Sequence, residues 1–102
     1  DGTKLWLANE IGEFQVWDLA THSKVNTIKL PGGGGFSMAQ NPANGQLYIG
    51  TSYYGRGVVV IDPQTYSLRN IATGGTVRRI GFLSSGTVGI VANEGGWVDF
   101  IH

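Results

Sequence analysis

The sequence contains no cysteine. That excludes a disulfide framework and all thiol chemistry. Charge is also scarce: 14% of residues are Asp, Glu, Lys or Arg, and the seven basic and seven acidic residues cancel. A chain so balanced carries no field that would draw it to nucleic acid or to a charged membrane surface. No apolar run approaches the length of a bilayer span, and no window shows a helical period. A secretory leader pattern is missing too. A chain that starts at Asp1 without a Met reads as a mature product or as a piece excised from a longer one. The only histidines, His22 and His102, fall at a turn and at a strand end. Zinc or haem sites need more ligands at ordered spacing, so no metal and no cofactor is expected.

What the sequence does contain is glycine, 17 in 102 residues, with 41% hydrophobic residues. The length suits one domain, and so many glycines argue for tight turns between short strands. Segments rich in Val, Ile, Trp, Tyr and Phe, bounded by Gly, Asn, Asp and Pro, predict ten strands. They are Leu5–Ala8, Phe14–Trp17, Val25–Leu30, Phe36–Gln40, Leu47–Thr51, Val58–Ile61, Leu68–Ala72, Val77–Leu83, Val88–Ala92 and Trp97–Ile101. Val58-Val59-Val60-Ile61 is apolar at every position, so both of its faces must be covered. Lys24–Leu30 is more polar, as befits a partly wet outer strand.

The chain repeats itself. Gly2-Thr3-Lys4-Leu5-Trp6-Leu7-Ala8-Asn9-Glu10 aligns with Gly86-Thr87-Val88-Gly89-Ile90-Val91-Ala92-Asn93-Glu94, with five of nine positions identical and an offset of 84 residues. Gly45-Gln46-Leu47-Tyr48-Ile49-Gly50-Thr51 is the intermediate copy. A second landmark follows: Val16-Trp17-Asp18-Leu19-Ala20-Thr21-His22-Ser23 recurs 44 residues later as Val60-Ile61-Asp62-Pro63-Gln64-Thr65-Tyr66-Ser67. Phe100-Ile101-His102 falls at the third such place. In Asp-x-x-Thr the carboxylate is expected to cap a turn by accepting backbone N–H groups.

The copies Leu5-Trp6-Leu7-Ala8-Asn9, Leu47-Tyr48-Ile49-Gly50-Thr51 and Ile90-Val91-Ala92-Asn93, with Val-x-Asp-x-x-Thr after them, resemble the YVTN family of β-propeller repeats. Val16-Trp17-Asp18 also resembles the signature of WD repeats, but the upstream Gly-His pair is missing. The expected fold is therefore all-β: a β-propeller fragment of about two and a half four-stranded antiparallel blades. Residues 1–33 would supply strands B-C-D of one blade, 34–75 a complete blade, and 76–102 strands A-B-C of a third. Such a chain does not close a ring by itself. Its partners would be further propeller blades, from the same protein or from other chains. Head-to-tail tiling leaves the outer strand of the last blade and the inner strand of the first unsupplied.

The resemblance implies a non-catalytic repeat scaffold or interaction module with a protein partner or an anionic ligand. The alternative is a segment of a lactonase-like or dehydrogenase-like propeller enzyme, whose active site would lie outside this chain. It also implies an extracytoplasmic or secreted setting. No catalytic residue is assigned. Pro31–Gly35 lacks the Lys-Ser/Thr ending of a phosphate loop and reads as a blade connection. The candidate binding residues are Tyr53, Tyr54 and Arg56, in a loop longer than its counterpart, with Arg78 and Arg79 after the next connection. Aromatics and arginines on one rim suit an anionic or sugar-like ligand. The competing reading packs the tyrosines on the next blade and pairs the arginines with Glu10, Glu13 or Glu94. Trp6, Trp17 and Trp97 are expected to pack between blades.

Overall fold

The computed structural model describes residues 3–9, 11–30, 35–51, 57–73 and 76–102. Ten strands lie among them: β1 (Lys4–Ala8), β2 (Glu13–Asp18), β3 (Ser23–Lys29), β4 (Gly35–Gln40), β5 (Leu47–Thr51), β6 (Val58–Ile61), β7 (Leu68–Ile71), β8 (Val77–Phe82), β9 (Gly89–Asn93) and β10 (Trp97–Ile101). Each of the ten expected strands is present, with ends moved by no more than two residues. The chain is all-β, and no helix long and apolar enough to cross a membrane occurs among the described residues.

The strands form three antiparallel sheets in simple sequential order: β1-β2-β3, β4-β5-β6-β7 and β8-β9-β10. Neighbouring strands pair because the connections between them are short, which keeps the loop-closure cost low. The second sheet lies between the other two. Alternate residues of β5 and β6 point to opposite faces. Leu47, Ile49, Val59 and Ile61 join Phe14, Val16 and Leu30 of the first sheet in one buried cluster. Tyr48, Val58 and Val60 join Val77, Val91 and Ile101 of the third sheet in another. The uninterrupted apolar run of β6 is thus explained residue by residue, since a strand covered on both sides has no wet position for a polar side chain. Each of these buried Val or Ile side chains contributes about 1.5–3 kcal/mol. By contrast, β3 and β7 are the outermost strands of their sheets and are mostly exposed.

The register shows how far the repeat extends. β4 on β5 pairs Gln40 with Leu47 and Ser37 with Gly50, with a bulge between Gly35 and Ser37. β8 on β9 pairs Phe82 with Gly89 and Arg79 with Ala92, with a bulge between Val77 and Arg79. The same irregularity falls at the same place in both copies, so Gly35 corresponds to Val77 and Gln40 to Phe82. Polar stitches join the sheets where strands end. Asn41, buried, donates from Nδ2 to the Gly86 carbonyl at 3.0 Å and accepts from the Ala43 N–H at 2.8 Å. Gly86 has φ +74, and a Cβ there would lie 2.5 Å from Ala43 Cβ, so the hairpin contact needs glycine. At the other end of the sheets, Gly35 N–H donates to the Asn9 carbonyl at 2.9 Å.

Candidate functional site

The Asp-x-x-Thr turns do what their sequence predicts. Asp18 Oδ1 accepts from the Ala20 and Thr21 N–H groups at 2.9 and 3.3 Å. Asp62 Oδ1 accepts from those of Gln64 and Thr65 at 2.8 and 3.3 Å. The residue after each threonine, His22 or Tyr66, takes a left-handed backbone with φ 56 and 62. Both carboxylates are therefore structural. The two N–H groups hold the Asp18 carboxyl below the usual carboxylate range, with help from Lys4 at 3.7 Å. Glu13 is lowered as well, by hydrogen bonds from Asn9 and Gln15.

This has a consequence for pH. A carboxyl lowered by folding adds stability above its unfolded pKa and loses it as pH falls through the folded value. Thermal melts of Asp18→Asn and the parent are expected to differ most near pH 7 and to converge as the pH drops below about 4. A constant gap from pH 7 to pH 3 would remove Asp18 as a source of the acid sensitivity.

Of the candidate binding residues, Tyr53, Tyr54 and Arg56 lie outside the described residues, as does most of the Pro31–Gly35 connection. Arg78 and Arg79 both stand exposed on β8. Arg78 Nε meets Glu94 Oε2 at 2.6 Å, the pairing that the competing reading anticipated for one arginine. Arg79 sits opposite Ala92, on the face of the third sheet turned away from the second. No group of three or more His, Asp or Glu able to hold a metal occurs among the described residues. The three tryptophans are placed differently. Trp6 packs against the first cluster, but Trp17 bonds Gln15 Oε1 and Trp97, 44% exposed, bonds Asp99 Oδ2, each at 3.0 Å. Trp17 lies opposite Leu5 on the outer face of the first sheet, and Trp97 lies on the edge strand β10.

Both end sheets carry exposed apolar side chains. On the first, Leu5 and Leu7 of β1 are 43% and 42% exposed. In the repeat they correspond to Leu47 and Ile49, which are buried against the neighbouring sheet. On the third, Ile90, Val98 and Phe100 are exposed, Phe100 at 64%. They correspond to Tyr48, Val58 and Val60, all buried in the second cluster. Phe100 pairs with Ile90, and Val98 with Ala92, so these side chains share one face. The positions were present in the repeat alignment. Only the packing of the inner copies shows which of them face a neighbour.

The chain matches no protein-family model and no curated protein.

Proposed function

We propose that this chain is a non-catalytic repeat scaffold of the YVTN-like β-propeller kind, working as part of a larger or oligomeric propeller. In this reading the second sheet is a complete blade, and the first and third are blades whose outer faces receive further blades of the same repeat. The observation that carries the reading is the correspondence just described. Residues exposed on the end sheets occupy the register positions that are buried at both internal sheet–sheet contacts. The outer face of the third sheet presents to solvent what the second sheet presents to the third. The outer face of the first sheet presents what the second presents to the first. Such faces make a heterologous, head-to-tail contact, the kind that builds rings when the rotation closes. A rigid stack of this sort offers loops at its rims for a protein partner or an anionic ligand.

The test is sedimentation of the chain across the micromolar range. Association is expected, and Phe100→Asp or Leu7→Asp should each weaken it by about tenfold or more, because each buries a charge in an apolar contact. A folded monomer at every concentration, or association untouched by both substitutions, overturns the proposal.

A further inference from the structure

A cavity of ≈ 370 Å³ opens between the first and second sheets, lined by Lys4, Trp6, Val16, Gln40, Gln64 and Tyr66, with Pro63. It sits where the Asp62–Ser67 turn approaches β1.

Two exchanges distinguish this contact from the one between the second and third sheets. Between the second and third sheets, Tyr48 is met edge-on by Phe82, with ring centroids 4.7 Å apart and planes at 77°. The Arg69 guanidinium covers the same ring at 5.9 Å and donates to the Tyr48 hydroxyl at 3.2 Å. In the preceding copy Trp6 stands for Tyr48, Gln40 for Phe82 and Asn26 for Arg69, as the strand pairings fix. A glutamine does not fill the space of a phenyl ring, and Asn26 is too short to cover the indole. The space therefore stays open, with an aromatic floor and polar walls.

The walls combine an aromatic floor with amide, hydroxyl and ammonium groups. Trp6 contributes a donor only, and unlike Trp17 and Trp97 its indole N–H has no hydrogen-bond partner among the described residues. Lys4 is a cation. Tyr66 and Gln64 add a hydroxyl and an amide, whereas no carboxylate lines the space. Gln40 donates to the Gly45 carbonyl at 3.0 Å. Two aromatic surfaces suit the C–H face of a sugar ring, amides suit its hydroxyls, and an ammonium with an excess of donors suits an anion.

We propose that this cavity binds an acidic pyranose, a hexuronate, with its ring against Trp6 and Tyr66 and its carboxylate at Lys4. The site lies wholly between two sheets of this chain, so it goes beyond the stacking of blades and does not depend on it.

Calorimetric titration of the full chain with sodium glucuronate, and separately with glucose, tests the proposal. Glucuronate should bind, with glucose about tenfold weaker or more. Lys4→Met should lower glucuronate affinity by roughly tenfold and leave glucose unchanged. Gln40→Phe, which installs the residue of the third sheet, should abolish binding of glucuronate while raising the melting temperature. Trp6→Phe keeps an aromatic ring, removes the donor and should weaken glucuronate about threefold or more, a check that stands if Gln40→Phe does not fold. No binding of glucuronate, binding undiminished in a folded Gln40→Phe or in Trp6→Phe, or glucose bound as tightly as glucuronate overturns the proposal.

Discussion

Replacing Ile49 with alanine is expected to cost about 2–5 kcal/mol, measured by urea unfolding. Ile49 is fully buried between the first and second sheets, among Phe14, Val16, Leu47, Val59 and Ile61. Sheet backbones on both sides cannot close in on the vacated volume without breaking ladder hydrogen bonds, so a cavity remains. Against a total stability of about 5–15 kcal/mol for an ordinary domain, that loss is a large share. The control is Leu7→Ala. Leu7 is the corresponding residue of the first copy, with the same pattern around it, yet it is 42% exposed. Its replacement should cost less than about 1 kcal/mol in the same assay, at a concentration where sedimentation shows a monomer. Equal losses at the two positions would mean that the second sheet is not enclosed between its neighbours.

The second large effect has the opposite sign from what the local sequence predicts. Glycine inside a strand is less favourable than alanine by about 0.5–1 kcal/mol, so Gly50→Ala on β5 would be read as stabilising. The packing reverses this. A Cβ on Gly50 would lie 2.5 Å from Val77 Cγ1, 2.6 Å from Ser37 Oγ and 3.0 Å from the Val77 carbonyl oxygen. The backbone oxygen does not step aside, and the valine is fully buried. Gly50→Ala is therefore expected to cost about 1–3 kcal/mol.

The preceding contact shows the same site solved the other way round. There Ala8 stands for Gly50 and Gly35 for Val77, and a Cβ on Gly35 would meet Ala8 Cβ at 3.0 Å. Small and large residues have changed places between the two strands. Val77→Ala should accordingly recover part of the loss in Gly50→Ala, giving a favourable coupling of about 1 kcal/mol in a double-mutant cycle. Strictly additive losses would show that the two residues do not share this space.

The sequence alone determined the local structure of this protein. Strand periodicity, the turn residues and the repeat placed all ten strands to within two residues. The Asp18 and Asp62 caps followed from the short reach of an aspartate to the N–H groups just after it. The run Val58–Ile61 announced a strand covered on both faces, because alternation disappears when neither side is wet. These signals are legible because each is carried by residues close together in the chain. What only the tertiary structure decided is what covers each face. Leu7 and Ile49 are alike in sequence and opposite in burial. Arg78 is engaged by Glu94, sixteen residues away, while Arg79 beside it faces outward. The exchanges of Gly50 with Ala8 and of Gln40 with Phe82 gain meaning only where two sheets meet. A period records the direction in which a side chain points, but the energy of that side chain depends on the surface it meets there.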